Sequence, residues 1–449
     1  MQTVNAVNRE KREDEIVESD NHRRIGRSAV LAILLSAIVA SAPAVYASGS
    51  ARDFIFIYLA SCLLWCVLLL PSNRTFTKSL LILALVARAS MWLTPPALSL
   101  DVYRYLWDAK VSWSGTNPYA FAPAEAPESM VRPSWFERIN NPSIASIYPP
   151  HAQILFLFSG GSLLLWRAIL LLSDLSLLLL LRRRGSTTLA LAWAFCPLVL
   201  IEGHWSAHLE PVVALALFVT LVFTTRSTIA GGMLALAIGL KISPFVTIPA
   251  FFRSTTRRAS FAISFALMAV LPAAFFLSAP LMPGMREFAR RWIFNAPVFE
   301  VVLDAVERSG LAESLKDVWT SNKDRFDSAS ISDQIYTLFY ADLLARAICG
   351  IVLLLFVLLI AGRKRELDWK VAHSFGALLL FSPVVHPWYW IAGLPLFLRA
   401  RTMYWTSAAM LSPISYLLYE TTGRGSWFVA GVCWGVPGLI ALGLRLRER

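Results

Sequence analysis

Charge is scarce in this chain. Of 449 residues only 16% are Asp, Glu, Lys or Arg, against about 25% in an average soluble domain. That shortage leaves an ordinary cytosolic enzyme without a polar surface, and the apolar content excludes a disordered protein. Cysteine is rare too. All five (Cys62, Cys66, Cys196, Cys349 and Cys433) fall inside apolar runs, which excludes a secreted disulfide scaffold and reads as small buried hydrophobes. Cys62 and Cys66 are spaced to share a helix face, but neither has a His or carboxylate near it with which to hold a metal. There is no internal repeat and no low-complexity tract; an inverted repeat would have pointed to a secondary transporter. The first 28 residues are polar and of mixed charge, without an apolar core followed by a cleavage site. No cleavable signal peptide is therefore expected, and the run from Ser28 onward is expected to be the first membrane anchor.

What the chain has in quantity is apolar length. Hydrophobic residues make up 57% of it, with 16 Trp and 27 Phe, and mean hydropathy is +0.58. Apolar runs recur at about the ~20 residues that cross a ~30 Å hydrocarbon layer at ~1.5 Å per residue. The expectation is an all-α, polytopic membrane protein. Its net charge of +12 invites a nucleic-acid reading, but the basic residues are not interleaved with aromatics on a soluble segment. They cluster at Arg23-Arg24-Arg27, Arg182-Arg183-Arg184, Arg253 with Arg257-Arg258, Arg363-Lys364-Arg365, Arg399 with Arg401, and Arg445 to Arg449. Each cluster lies beside an apolar run, as in the cytoplasmic loops of membrane proteins.

With those loops inside, the chain alternates through about fourteen crossings or part-crossings, an even number with both termini cytoplasmic. The expected organisation is a cytoplasmic tail over 1–27, membrane spans over 28–98 and a first outer loop over 99–150. A membrane core over 151–279, a second outer loop over 280–333 and C-terminal spans over 334–449 follow. Several runs are broken by proline (Pro197, Pro244, Pro249, Pro272, Pro395), and broken backbone at membrane depth is tolerated where it lines a cavity.

The topology places three polar constellations at the outer face, where retained charge marks functional candidates. The first is Asp101-Val-Tyr-Arg-Tyr-Leu-Trp-Asp108. As a helix from about 101 to 114 it carries Asp101, Arg104, Tyr105 and Asp108 on one face. Val102, Leu106, Ala109 and Trp113 lie on another, as in a helix in the interface plane. Its polar face reads either as solvated surface or as a site. The second is Glu202-Gly-His204-Trp-Ser-Ala-His208-Leu-Glu210. His204 and His208 have the spacing of a helical zinc pair, without the H-E-x-x-H pattern or an evident third ligand; loop polarity and a pocket-lining role remain open. The third is His386-Pro-Trp388-Tyr389, where a lone His beside aromatics serves structure as readily as chemistry. Lys241, before Ile-Ser-Pro244, either snorkels to headgroups or holds a phosphate as a point charge. Arg290-Arg291 and Arg346 are weaker candidates for the same task.

These residues carry a resemblance. Asp101 to Asp108, Gly115-Thr-Asn-Pro-Tyr119 and Ile147-Tyr-Pro-Pro-His-Ala-Gln153 resemble the first outer loop of bacterial GT-C glycosyltransferases. The nearest resemblance is to polyprenyl-phosphate-mannose-dependent mannosyltransferases of glycosyltransferase family 87 and its relatives. Cys196-Pro-Leu-Val-Leu-Ile-Glu202 with His208, Leu240-Lys-Ile-Ser-Pro244 and Ser382-Pro-Val-Val-His-Pro-Trp-Tyr389 are similar to later parts of such chains. Two features depart from the pattern. Three spans precede the first motif where the simplest layout has one, and Leu100 stands where many relatives pair a second acidic residue with the aspartate, which removes a metal-binding carboxylate pair.

The resemblance implies a GT-C-like helical bundle in the bacterial plasma membrane with its active site facing outward. It implies a hexosyltransferase that moves a sugar, mannose by analogy, from a polyprenyl-phosphate donor to a glycolipid, polysaccharide or protein acceptor, with inversion. Asp101 takes the place of the general base. Lys241, Arg104, Arg346 and His386 become candidates for the donor phosphate or sugar. Asp108, Tyr105, Glu202, His208, Trp388 and Tyr389 become candidates for the acceptor or the pocket wall. No metal or cofactor and no nucleic acid is implied; the bilayer itself is a partner. A transporter or flippase for lipid-linked sugars would also need an amphipathic cavity with cations, but makes no demand for a carboxylate on an outer helix.

Overall fold

The computed structural model describes residues 26–70, 76–322, 339–420 and 426–447. Arg23, Arg24, Arg74 and Arg449, most of the polar tail, and part of the second outer segment lie outside the described residues. The described chain is helical throughout, without a strand; only an isolated bridge joins Phe294 to Val384.

Helices begin where Ser or Thr precedes an apolar run and its oxygen takes an otherwise unpaired backbone N–H. Ser50 so caps α2 (Ala51–Leu69), which follows α1 (Gly26–Ala47). Thr77 caps α3 (Lys78–Ser90), and α4 (Asp101–Trp113) and α5 (Pro150–Leu157) flank the outer segment. Ser162 caps α6 (Leu163–Arg184), whose last turn carries the three arginines next to the unpaired carbonyls. Ser186 caps α7 (Thr187–Ala194). The centre is completed by α8 (Glu210–Val222), α9 (Ser227–Leu240), α10 (Ile248–Ser254) and α11 (Arg258–Val270). Next come the short α12 (Met285–Arg291) and the amphipathic pair α13 (Pro297–Ser309) and α14 (Leu311–Asn322). The chain closes with α15 (Ala341–Gly362), α16 (Leu367–Phe381), α17 (Tyr389–Arg399), α18 (Met403–Leu411) and α19 (Trp427–Leu446).

Six helices among the described residues are long and apolar enough to cross a membrane: α1, α2, α6, α11 with its continuation to Phe276, α15 and α19. A seventh crossing is available if α7 and the segment Val199–Trp205, bent by 55°, act together. The remaining apolar runs give shorter pieces. Residues 79–94, read as a full span, form the 13-residue α3, which carries a fully buried Arg88. The long apolar helices leave Phe56, Leu172, Ile263, Leu354 and Leu359 facing outward, a surface suited to lipid and not to water.

Indoles tie backbone carbonyls in and beside the short pieces. Trp65 Nε1 donates to Ala192 O at 2.8 Å, Trp166 to Ala207 O at 2.8 Å and Trp205 to Pro95 O at 3.0 Å. The buried charges are also spoken for. Asp174 of α6 accepts from Arg88, from Trp193 Nε1 and from His204 Nε2. Arg88 also donates to Ala84 O at 3.0 Å and Ala194 O at 2.7 Å.

One geometrical relation positions the site. α8 starts at Glu210, whose carboxylate pairs with Lys241 after the end of α9. Its other end reaches Phe223, whose ring lies under Arg184 and Arg226. Arg399 in turn bonds Asp368 Oδ2 at 2.6 Å and Arg184 O at 2.8 Å. The basic turns therefore gather at one end of α8, and Lys241 stands at the other.

Candidate functional site

At that second end lies a cavity of about 580 Å³. Its lining includes Asp101, Arg104, Tyr105, Lys241, His386, Trp388 and Tyr389 of those the sequence singled out, with Asn140, Tyr148 and Tyr419; Glu202, His208 and Asp108 lie behind it. The opposite wall is apolar, built by Ile144, Ile242, Phe245, Met285, Phe288 and Leu378. Phe245 is 43% exposed, so the apolar side opens outward.

Asp101 stands in the first turn of α4, where the helix dipole favours a carboxylate. Asn140 Nδ2 donates to its Oδ1 at 2.6 Å. Its Oδ2 faces His208 Nδ1 at 3.9 Å. Burial pushes the Asp101 carboxyl up, while the Asn140 hydrogen bond and the Lys241 charge pull it down; the net is a rise above the ordinary aspartate value.

Read as a helix in the interface plane whose polar face is either solvated surface or a site, α4 is enclosed. Leu106, Trp107 and Asp108 are almost wholly buried, and only Trp113 at the far end is exposed. The reason is the segment folded over it. Arg104 donates to Asp108 Oδ1 at 2.9 Å and to Ile144 O at 2.7 Å. Asp108 Oδ2 accepts from Ser146 at 2.5 Å and Gln153 at 2.9 Å. Arg104 thus lines the cavity with its charge already matched, and Asp108 clamps the outer segment to α4 and α5. The Gly115-Thr-Asn-Pro-Tyr119 motif works the same way. Gly115 takes φ +79°, which ends α4. Asn117 Nδ2 reaches Phe276 O at 2.9 Å, and the Tyr119 hydroxyl reaches Tyr148 O at 2.6 Å.

Lys241 forms an ion pair with the buried Glu210, and its Nζ sits 3.8 Å from the centre of the Tyr389 ring. Five rings stack in series beside it. His208 lies 4.1 Å from Trp388, Trp388 4.3 Å from His386, His386 4.5 Å from Phe294 and Phe294 5.1 Å from Tyr419. The Tyr105 hydroxyl is 3.4 Å from His208 Nδ1. Behind His208, Glu202 Oε2 is 3.7 Å from Nε2, and Tyr416 donates to Glu202 Oε1 at 2.6 Å.

The zinc-like spacing of His204 and His208 is undone by a π-helical turn over Val199–Trp205 and by Ala207 at φ +57°. His204 turns inward to Asp174, and His208, fully buried behind the cavity lining, turns to Asp101. No cluster of three or more metal-ligating side chains exists among the described residues. Arg346 is not brought to the site either; its Nη2 donates to the carbonyls of Arg290 and Trp292 at 3.4 and 3.2 Å. Sequence reading did not find Asn140, Tyr416 or Tyr419, and held Tyr148 only as part of the Ile147–Gln153 motif. Asn140 is 39 residues from Asp101 with no periodic relation to it, and only the Asn-Asn-Pro turn signal at 140–142 marked the place.

No family model, no curated protein and no solved structure matches this chain.

Proposed function

We propose that this protein is a membrane glycosyltransferase that takes a sugar, mannose by the motif resemblance, from a polyprenyl-phosphate donor and passes it to an acceptor hydroxyl at the outer face of the membrane. The observation that carries the reading is the pairing inside one cavity of a half-free carboxylate, Asp101, with Lys241 and an outward-opening apolar wall. A polyprenyl-phosphate sugar has those three parts: an apolar tail, a phosphodiester and a sugar carbon open to attack.

In this reading the tail lies along Phe245, Met285 and Phe288. The phosphate meets Lys241, which has two further N–H donors beyond the one given to Glu210. The acceptor oxygen attacks the anomeric carbon from the side opposite the phosphate. Its proton goes to Asp101 as the carbon–oxygen bond to phosphate breaks, and the anomeric configuration inverts. A positioned base supplies ~10²–10⁴-fold in such a step. The cation meets charge developing on the leaving phosphate where little water competes. The basic turns at the far end of α8 support an outward-facing site under the positive-inside rule.

The test uses purified protein in liposomes with a labelled polyprenyl-phosphate mannose. A transferase releases polyprenyl phosphate and labels an acceptor or water. A carrier of lipid-linked sugars returns the donor intact in the other leaflet, which would overturn the reading.

A further inference from the structure

Two groups behind Asp101, His208 and Glu202, stand in a line that the transfer step does not use. Glu202 Oε2 and His208 Nε2 are buried, face each other at 3.7 Å, and have no hydrogen-bond partner among the described residues. Unpaired buried polar atoms are costly, so a facing pair of them calls for a proton between the two. On the other side of the same ring, Nδ1 faces Asp101 Oδ2 at 3.9 Å. The ring stacks on Trp388 at 12°, which fixes the plane in which both nitrogens lie. Closing each gap to ~2.8 Å takes roughly 1 Å of side-chain movement, and catalytic hydrogen bonds commonly tighten only when substrate binds.

Charge decides where the proton rests. Glu210 is matched by Lys241. If Asp101 and Glu202 were both ionised, two carboxylates would flank one neutral ring with no cation of their own, a costly burial. One proton removes half of that. Asp101 has the Asn140 amide on Oδ1, the Lys241 charge nearby and a side chain 21% exposed. Glu202 is fully enclosed, and its side-chain donors are neutral hydroxyls, Tyr416 on Oε1 and the adjacent Ser206, with no cation beside it. The proton therefore belongs on Glu202. The groups facing His208 are Asp101 and Tyr105 from α4, Glu202 from the π turn, Lys241 after α9, and His386 and Trp388 before α17. Lys241 and the shielding from water both oppose an imidazolium, so the ring remains neutral.

We propose that Glu202 and His208 are positioning residues for the base: Glu202, as a neutral carboxylic acid, donates from Oε2 to His208 Nε2, and His208 donates from Nδ1 to Asp101 Oδ2. The chain fixes the tautomer of His208, as a third group orients the base in other nucleophile systems. It holds Asp101 ionised, and leaves a lone pair of Oδ2 free for the acceptor proton. The role rests on the transferase reading; the placement of the proton does not.

The experiment uses full-length protein in nanodiscs. Infrared difference spectra between wild type and Glu202→Gln at neutral pH should show a protonated carboxyl stretch that the variant lacks and Asp101→Asn keeps. Release of polyprenyl phosphate from labelled donor is then followed in Glu202→Met, which removes the donor to the ring, and His208→Phe, which keeps the stack without a nitrogen. Each should lose kcat about 10- to 100-fold, a part of the ~10²–10⁴-fold owed to the base, with donor KM within about twofold. The acid limb of the rate profile should move to higher pH in both, because Asp101 loses a donor to its charged form. Glu202→Gln, which offers an amide N–H to Nε2 and an oxygen to Tyr416, should recover most of what Glu202→Met loses. Absence of the carboxyl band, an unmoved acid limb, or no recovery by Gln would overturn the proposal. A wild type that shows the band yet releases no polyprenyl phosphate would instead overturn the transferase reading, and with it the role of the chain, while the proton's place stands.

Discussion

On the proposed transferase reading two side chains carry most of the chemistry, and each has a separable consequence. Lys241 meets the donor alone in this account, so Lys241→Ala should raise KM for the polyprenyl donor by about tenfold or more while the acceptor KM stays put. Equal effects on both substrates would reduce the lysine to the partner of Glu210. Asp101 has a cost as well as a use. Its folded-state pKa is raised, so the native state holds that proton more tightly than the unfolded chain. Stability contributed by Asp101 therefore falls as pH rises through the window that begins near the ordinary value of ~3.9 and ends at the raised one. Asp101→Asn should for that reason raise Tm at neutral pH, and the gain should vanish below pH ~4. The same rise puts the acid limb of kcat above the ordinary carboxylate range, since activity is lost as Asp101 gains its proton. A Tm that falls at neutral pH and not below pH ~4 would contradict this by showing that the ionised carboxylate stabilises the fold.

At the scale of elements, the π turn over Val199–Trp205 joins two networks that otherwise do not touch. It sends His204 to the buried Asp174–Arg88 pair and Glu202 to His208, behind Asp101. Removing one partner of a buried pair strands the other, at a cost of about 3–5 kcal/mol. Asp174→Leu should lower Tm by many degrees or abolish the folded protein, whereas the double change Arg88→Met with Asp174→Leu should recover much of the loss, as measured by thermal unfolding in detergent. α4 shows what could and could not be read in advance. Its limits, its polar face and Asp101 follow from the 3.6-residue period and from Gly115. Its enclosure does not, because Arg104, Asp108, Ser146 and Gln153 meet only when residues up to 45 apart fold back together. The two histidines were legible as a pair and not as a divergence, since no local pattern announces a π turn or an alanine at φ +57°.

The whole molecule is an all-helical bundle whose basic turns and whose cavity sit at opposite ends of α8. Hydropathy made the helical, membrane-suited character plain from composition. It overstated the number of long spans: the runs holding Pro197 and Pro244 are divided into shorter helices, whereas the run holding Pro272 continues to Phe276 and stays long enough to cross. The orientation has its own check. Cysteines placed at Ser50, before α2, and at Arg183, at the end of α6, should label from opposite sides of a sealed membrane; labelling from one side would contradict an outward-facing cavity. The central claim is that Asp101 takes a proton from an acceptor as sugar leaves a polyprenyl phosphate. The most direct measurement is release of polyprenyl phosphate from labelled donor by wild type and Asp101→Asn, with donor binding followed in parallel. Asp101→Asn should lose ~10²–10⁴-fold in kcat and bind donor normally; turnover within a few-fold of wild type would contradict the account.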